Sequence, residues 1–277
     1  MKNFIYLVQG QSVLVKNYLH LSDRDNSDAI FLTYDEKIEG ALFLPNSTWA
    51  QGRNEMLKMA LKIDNYLYYI FCDDDIAFQK GSWVEFEKHL MKLKPAIAVP
   101  VFLSKTKRTP LRLLNYHSFL FNDEQMIAFH NDVIRDGIVL PYQNQFDDIH
   151  WWASCEIQQI LIQNFYFSDS IQLNKIHISN QCQLRYPNPD TGRNMFEKHI
   201  RDWLTKQFIG SYKDISMSIK RNLLIILWRT FSFSIRHHRH LRASSYSISE
   251  KAIKNTLSNN SEILKQYLKV NKRAVAD

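Results

Sequence analysis

The fold prediction depends on one stretch, YLYYIFCDDDIAF, at residues 66–78. Its first seven residues are apolar and rich in aromatic side chains, which is typical of a strand buried on both faces. The strand ends in Asp73, Asp74 and Asp75, and apolar residues resume at once. Because adjacent carboxylates repel one another, a bound cation would stabilise them. In an open α/β sheet, ligands bind at the carboxyl ends of the strands.

Strand-like and helix-like patterns alternate on both sides of this stretch. Apolar residues recur at helical spacing at Met56, Ala60, Ile63 and Leu67, and again at Trp83, Phe86, Leu90 and Leu93. The alternation predicts an α/β domain with a mainly parallel sheet flanked by helices. The predicted strands are Phe4–Val8, Ala29–Leu32, Ala41–Leu44, Tyr66–Cys72, Ala96–Phe102, Ser118–Phe121, Met126–His130 and Ile171–Ile178, and a further helix is predicted at Asp148–Gln163.

Composition excludes several classes of protein. The chain has 277 residues, of which 45% are hydrophobic and 23% charged, with 7 Gly and 7 Pro, so it is neither disordered nor collagen-like. Cys72, Cys155 and Cys182 are widely spaced, which predicts no disulfide framework, no structural zinc and a reducing compartment. The first residues read as a strand rather than a signal peptide. No apolar run approaches the roughly 18 to 20 residues that a membrane span needs, and the candidate run Leu223–Trp228, flanked by charge, is only six residues long.

Charge divides the chain into two parts. The net charge is +7, but residues 201–277 contain 15 Lys/Arg and 5 Asp/Glu, a net charge of +10. The preceding residues contain 20 Lys/Arg and 23 Asp/Glu, a net charge of −3. A turn-rich segment at 185–193, RYPNPDTGR, predicts the end of the core domain. We therefore expect a domain at 1–190, with parts 1–105 and 106–190, and a basic helical C-terminal extension at 191–277.

The acidic strand end predicts a metal–diphosphate site. Mg²⁺ and Mn²⁺ prefer oxygen ligands and usually bind one or two carboxylates together with substrate phosphates. The simpler alternative is a solvated acidic turn. Upstream, the segment NSTWAQGRN at 46–54 comes just before a helical pattern, where backbone N–H groups and Arg53 could hold an anion. The alternative there is an N-cap at Asn46, Ser47 or Thr48 followed by an ordinary surface arginine.

With these motifs, the sequence resembles the GT-A-fold nucleotide-diphosphosugar glycosyltransferases. Their DxD motif corresponds to Asp73-Asp74-Asp75, and a small residue followed by Arg-Asn in the preceding helix corresponds to Gly52-Arg53-Asn54. The resemblance covers about residues 1–185. It implies a Rossmann-like nucleotide-sugar half at 1–105, an acceptor half at 106–190 and a Mn²⁺ or Mg²⁺ cofactor. Asp75 is the implied metal ligand and Asp73 the implied ribose contact and second metal ligand. Arg53, Asn54 and Asp74 are further donor-binding candidates.

The segment at 144–156, NQFDDIHWWASCE, resembles the position of the catalytic base in inverting members of the family. Transfer requires a carboxylate within hydrogen-bond reach of the acceptor hydroxyl, and Asp148 or Asp147 could supply it. Trp151, Trp152 and Glu156 are candidates for substrate binding. The alternative is a helix N-terminus carrying two acids, with the tryptophans in the core.

Three further predictions concern a ligand, rival functions and location. His177 follows the last predicted strand and could complete the metal site, although a hydrogen-bonded surface histidine is the simpler interpretation. The rival functions are a metal-dependent phosphodiesterase or nuclease, which would need more acids than Asp147, Asp148 and Glu156, and a non-catalytic membrane- or nucleic-acid-binding α/β protein. The extension alternates apolar and cationic stretches and has no nucleic-acid-binding fingerprint, so it favours an anionic membrane surface or a solvated basic face. We expect a cytoplasmic protein, peripheral on the inner membrane face, that transfers sugar to a glycan or lipid-linked acceptor in polysaccharide biosynthesis.

Overall fold

A computed structural model describes residues 2–103, 113–118, 124–144, 147, 152–166, 169–181, 226–228, 230–231 and 233–234. Within these ranges the strands are β1 Phe4–Gly10, β2 Ser27–Thr33, β3 Ala41–Phe43, β4 Tyr68–Asp73, β5 Ile76–Lys80, β6 Ile97–Phe102, β7 Tyr116–Ser118, β8 Met126–His130 and β9 Ser170–Asn180. The helices are α1 Ser12–Val15, α2 Trp49–Ile63, α3 Trp83–Leu93, α4 Asn131–Asp136 and α5 Ala153–Phe165, with a 3-10 helix at Lys16–Asp23.

All of these strands belong to one mixed sheet in the order β3-β2-β1-β4-β8-β6-β9-β5, with β7 also paired to β9. The predicted parallel sheet is found in β3-β2-β1-β4. Beyond β4 the sheet is mixed, because β8 runs antiparallel to both β4 and β6 while β6 and β9 are parallel. β1, β2 and β4 therefore end at the same edge of the sheet, and we call it the carboxyl edge.

Helices cover both faces of the sheet, so the central strands are apolar on both sides. In β4, Tyr69 and Phe71 pack with α2 and α5 in one core cluster, whereas Tyr68, Ile70 and Cys72 pack with α3 in the other. Since side chains alternate between faces, a strand covered on both sides has no polar positions. This double burial explains the continuous apolar run that precedes the three acids.

Most predicted elements are present, with shifted boundaries. Leu67 lies outside α2, because its apolar spacing continues past the end of the helix. The helix predicted at Asp148–Gln163 is found at Ala153–Phe165, and residues 148–151 lie outside the described ranges. The strand predicted at Ser118–Phe121 is centred earlier, at Tyr116–Ser118, and residues 119–121 lie outside the described ranges. Four elements were not predicted, namely α1, the 3-10 helix at Lys16–Asp23, β5 directly after the acids, and α4. All four are short segments with weak periodicity.

One described part of the C-terminal extension packs against the body, and we call it the docked tail segment (residues 226–228, 230–231 and 233–234). The Thr230 hydroxyl accepts a hydrogen bond from the backbone N–H of Ser118 at 2.9 Å, and the ring of Phe233 packs edge-on against Tyr116. The segment thus covers a polar edge of β7. The other predicted tail helices and the turn segment at 185–193 lie outside the described residues. No helix of the described residues combines the length and apolarity needed to cross a bilayer.

His130 links the sheet to α4 and should make the fold sensitive to acid. It ends β8, and its Nδ1 accepts the backbone N–H of Asp132 at 3.2 Å, so this nitrogen is unprotonated. Burial, together with the positive charges of Arg135 and Lys94, lowers the pKa of His130 to about 4. The Asp132 carboxylate lies 3.3 Å from the same nitrogen.

Because the pKa of His130 is lower in the folded state than its usual value near 6.5, protonation favours unfolding. Its contribution to stability is present above about pH 6.5 and is lost as the pH falls towards 4. The free energy of unfolding of wild type should fall as the pH is lowered. We expect this fall to be smaller by about 1–3 kcal/mol in His130→Asn, which retains a capping acceptor. Urea denaturation at pH 7.5, 5.5 and 4.5 measures this, with His20→Asn, a change at an exposed histidine, as the control. Identical pH dependence in wild type and His130→Asn would contradict the assignment.

Candidate active site

The candidate site lies at the carboxyl edge, where the parallel strands β1, β2 and β4 end together. Gln9 of β1 is in register with Asp73 of β4, so Gln11 and the three acids emerge side by side. Asp35 follows the end of β2 and accepts hydrogen bonds from the backbone N–H and the hydroxyl of Ser12, at 2.8 and 3.2 Å. The three acids after β4 therefore lie at the carboxyl edge as predicted, and Asp35, which the sequence analysis did not single out, lies at the same edge.

Arg53 forms an ion pair with Asp73 across the interface between α2 and β4. Its Nη2 lies 2.7 Å from Asp73 Oδ1, and the same oxygen accepts the indole N–H of Trp49 at 3.1 Å. Arg53 is 0% exposed, so the interpretation of this residue as an ordinary surface arginine is wrong. The other part of that alternative is confirmed, because Thr48 is the N-cap of α2 and forms a capping box with Gln51.

The guanidinium of Arg53 is enclosed by aromatic rings and further acceptors. Its centre lies 3.9 Å from the ring of Trp49, and its Nη1 donates to the Tyr142 hydroxyl at 3.1 Å. Its Nη2 also donates to the backbone carbonyl of Glu124 at 2.9 Å. A buried cation needs its charge and its donors matched, and these contacts do so for Nη1 and Nη2, whereas Nε has no acceptor among the described residues. The arrangement fixes Asp73 at the carboxyl edge.

Asp74 points into the protein. Its Oδ2 accepts the backbone N–H of Gln11 at 2.5 Å, and its carboxyl group packs over the Cα of Gly10. A Cβ on Gly10 would lie 1.9 Å from the carboxyl carbon, so only glycine fits there. Burial raises the pKa of Asp74 to about 7; the N–H of Gln11 opposes this, and the charges of Asp73 and Asp75 add to it. Asp74 therefore ties β1 to β4, and its place in donor binding stays a prediction.

Asp75 is the acid without a counter-charge. It is 4% exposed, and within the described part of the chain its carboxylate accepts only its own backbone N–H. Burial raises its pKa to about 6, with a smaller contribution from the charge of Asp73. Its position is fixed through the main chain, because its carbonyl accepts the N–H of Gln181 at 2.7 Å.

Asp73 and Asp75 together fit a divalent cation whose remaining ligands come from a bound substrate and water. Oδ2 of Asp73 accepts no hydrogen bond from the described residues, and Asp75 lies two positions further along the same turn. No cluster of three His, Cys, Asp or Glu side chains in the described ranges could hold a metal by itself. Mg²⁺ and Mn²⁺ commonly bind one or two carboxylates, with water and substrate phosphates completing the shell. The donor set therefore fits a cation carried by a phosphate ligand.

His177 lies away from these acids. His177 lies on β9, four residues before Gln181, whose N–H contacts Asp75. Four residues span about 13 Å along a strand. Its Nε2 lies 3.0 Å from the carbonyl oxygen of Asn174 on the same strand. The structure thus brings Asp73 and Asp75 together and leaves His177 outside, so its role as a ligand stays a prediction.

Asp147 connects the predicted acceptor half to the start of α2. One carboxylate oxygen of Asp147 accepts the hydroxyl hydrogen bond of Thr48 at the start of α2, and the other accepts that of Ser154 in α5. The ring of Trp152 lies 6.2 Å from that of Trp49, which in turn contacts Asp73. Asp148 and Trp151 lie outside the described residues.

Asn54 and Glu156 also lie on elements that border the site. The Asn54 amide forms two hydrogen bonds with the backbone of Tyr142, at 2.9 and 2.8 Å, so its contacts hold α2 against the segment after α4. Glu156 lies in the first turn of α5. Their places in substrate binding stay predictions.

Sequence reasoning missed several residues of the site. Tyr142 and Glu124 complete the surroundings of Arg53 from 89 and 71 positions away, and no local pattern marks either of them. The amide of Gln158, with its nitrogen turned towards them, contacts both the Tyr142 hydroxyl and the Glu124 carboxylate. Tyr34 was also missed; burial, with contributions from the charges of Asp74, Asp35, Asp73 and Asp75, raises its pKa to about 12. The signal that could have found Tyr34 is its position directly after a predicted strand.

Solved structures of other proteins share this arrangement of strands and helices. TarS from S. aureus, crystallised as residues 1–349 with UDP-GlcNAc, aligns over 88% of this chain and 77% of its own, with a TM-score of 0.50 and 10% identity. GalNAc-T7, crystallised with UDP, GalNAc and Mn²⁺, aligns over 87% of this chain and 58% of its own, with the same TM-score and identity. The chain has the GT-A fold.

At 10% identity these likenesses concern the fold and not the activity. No model of a protein family matches the sequence, and no curated protein matches it. Within the fold of this chain, the three acids lie at the end of β4 at the carboxyl edge, and Arg53 of α2 contacts the first of them, Asp73. Any chemistry must therefore be argued from the residues of this edge.

Removing the charge of Arg53 should destabilise the fold, because it leaves Asp73 without its buried counter-charge. We expect Arg53→Met to lower the free energy of unfolding by about 3–5 kcal/mol, the usual cost of breaking a buried ion pair. Urea denaturation at neutral pH measures the change. Lys58→Met, at an exposed position of the same helix, is the matched control and should change stability by less than about 0.5 kcal/mol. Equal, small effects of both substitutions would show that the ion pair does not hold α2 against β4.

Proposed function

We propose that the protein is a metal-dependent glycosyltransferase that uses a nucleotide-diphosphate sugar, specifically a UDP-sugar, and transfers the sugar to a glycan or lipid-linked acceptor. The observation that carries the proposal is Asp75, a buried carboxylate at the carboxyl edge with no counter-charge among the described residues. The GT-A fold supports it, since two proteins of that fold were crystallised with UDP-GlcNAc or with UDP and Mn²⁺.

The donor would bind with its diphosphate next to Asp73 and Asp75. Two carboxylates and a diphosphate repel one another, so a divalent cation between them is required for binding. When bound, the metal neutralises negative charge that develops on the leaving diphosphate. Asp73 is positioned for this by Arg53 and Trp49, while Asp75 has no hydrogen bond to another side chain in the part of the chain that the structure describes. The ribose lies near Asp73 in this arrangement.

Substitution of Asp75 tests donor binding. We expect Asp75→Ala to abolish Mn²⁺-dependent UDP binding, since half of the proposed protein ligands are lost. The fold should persist, because removing a buried, uncompensated carboxylate costs no ion pair. Isothermal titration with UDP, with and without MnCl₂, measures binding, and circular dichroism checks the fold.

The matched control for this experiment is Asp25→Ala, an exposed acid in the turn before β2, at the opposite edge of the sheet. It should bind UDP as wild type does. Unchanged Mn²⁺-dependent binding by Asp75→Ala would refute the proposed site. A screen of sugar nucleotides by thermal stabilisation then identifies the donor, and the absence of any stabilisation would favour the phosphodiesterase or the non-catalytic alternative.

For the chemical step we propose inversion by a single displacement. The acceptor oxygen attacks the anomeric carbon, its proton passes to a carboxylate, and the nucleotide diphosphate leaves with the electrons of the broken C–O bond. Both carboxylate oxygens of Asp147 already accept hydroxyl hydrogen bonds, from Thr48 and Ser154. We therefore assign the base to Asp148 and a positioning role to Asp147. Trp152, with Trp151 and Glu156, would contact the acceptor.

The two acids should respond differently to substitution. Asp148→Asn should lower kcat by about 10²–10⁴-fold with the donor affinity unchanged, because the base acts on the acceptor. Asp147→Asn should mainly lower the thermal unfolding temperature, because it weakens the contacts of Thr48 and Ser154. Steady-state kinetics and thermal denaturation of both variants measure the difference. A loss of kcat in Asp147→Asn alone would transfer the base to Asp147, and an NMR assay showing a retained anomeric configuration would remove both assignments.

We place the protein in the cytoplasm, at the inner face of a membrane. Sugar nucleotides are made in the cytoplasm, and the net charge of +10 in residues 201–277 favours anionic lipid headgroups. A lipid-linked or growing surface-glycan acceptor would then be within reach of the site.

A further inference from the structure

The docked tail segment has one face fixed to the body. Phe233 is 3% exposed and belongs to the same core cluster as the β9 residues Ile171 and Leu173. Thr230 accepts the N–H of Ser118, and the Ser234 and Tyr116 hydroxyls lie 2.9 Å apart. These contacts come from both polar and apolar groups of the helix, so its orientation on the body is defined.

The opposite face of the same segment is apolar and exposed. Leu227, Trp228 and Phe231 are 41%, 59% and 64% exposed. At 100° per residue they span an arc of about 100° on a helix, whereas Thr230 and Phe233 lie about 60° and 120° outside it. A cluster of a leucine, a tryptophan and a phenylalanine differs from the single exposed apolar residues that are normal on protein surfaces.

The charge of the sequence that contains this segment argues for an anionic lipid surface as the occupant. Residues 220–242 contain six Lys/Arg and no Asp/Glu. A second copy of this chain would bring the same positive charge to the interface and would be repelled. An anionic bilayer instead attracts the basic residues, while tryptophan and phenylalanine favour the boundary between headgroups and acyl chains.

We propose that Leu227, Trp228 and Phe231 insert into the headgroup region of an anionic membrane and attach the protein to it. The sequence predicted attraction by charge; the structure adds a defined apolar face, held in a fixed orientation on the body by Thr230 and Phe233. Attachment therefore sets how the whole domain faces the membrane. The inference does not depend on the proposed sugar transfer, because no residue of the carboxyl edge takes part in it.

The test measures the partition of the full chain into phosphatidylcholine vesicles with and without phosphatidylglycerol. We expect the triple variant Leu227→Ser, Trp228→Ser, Phe231→Ser to lower the partition into anionic vesicles by about tenfold or more at 150 mM NaCl, with its net charge unchanged. The matched control is Leu61→Ser, Ile63→Ser, Val84→Ser, at three apolar positions that are 52%, 57% and 48% exposed on α2 and α3. The control should partition as wild type does.

A second measurement uses a variant that keeps the apolar face. Trp228→Phe should bind vesicles as wild type does, but should lose much of the fluorescence quenching by brominated lipids. Unchanged vesicle binding by the triple variant, or unchanged quenching in Trp228→Phe, overturns the proposal. Self-association of wild type, lost in the triple variant and without vesicle binding, overturns it in favour of a second copy. UDP binding should be the same in all these variants, so a failure here is distinguishable from a failure of the proposed function.

Discussion

The ion pair between Arg53 and Asp73 is the interaction on which the rest of the site depends. A guanidinium that is completely buried needs partners for its charge and its donors, and here a carboxylate, a phenol, a carbonyl and an aromatic face contact it, while Nε has no acceptor among the described residues. Each partner comes from a different part of the chain: α2, the end of β4, the turn before β8 and the segment after α4. Folding therefore cannot bury Arg53 without also setting the position of Asp73 at the carboxyl edge.

The three consecutive acids have three different environments as a result. Asp73 is paired with the guanidinium of Arg53, Asp74 is turned inwards onto the N–H of Gln11, and Asp75 is buried and accepts only its own N–H among the described residues. Burial raises the pKa of Asp74 and Asp75 well above that of an exposed carboxyl group, so this turn carries electrostatic strain that a cation would relieve. The strain is retained because β4 and the contacts of its neighbours hold the turn in place, as is common at functional sites.

Asp147 and the docked tail segment make contacts that orient the later parts of the chain on the sheet and α2. Asp147 joins the start of α2 to α5 through two hydroxyl groups, which brings Trp152 to the aromatic cluster next to Asp73. The docked tail segment covers the edge of β7 and, in doing so, directs three apolar side chains away from the body. In both cases polar contacts with the body fix the positions of neighbouring apolar side chains.

The sequence by itself determined the buried strand at 66–72, the acids at its carboxyl end, the helix that begins near Thr48 and the separation of a basic extension from an acidic body. These are local properties: an unbroken apolar run requires cover on both faces, and clustered charge requires solvent or a counter-ion. Only the tertiary structure decided the partners of Arg53, the different roles of the three acids, the mixed half of the sheet beyond β4 and the docked face of the tail. Those features depend on contacts such as that between Arg53 and Tyr142, 89 residues apart, whose energy is gained only when distant segments pack together, and no local pattern records it.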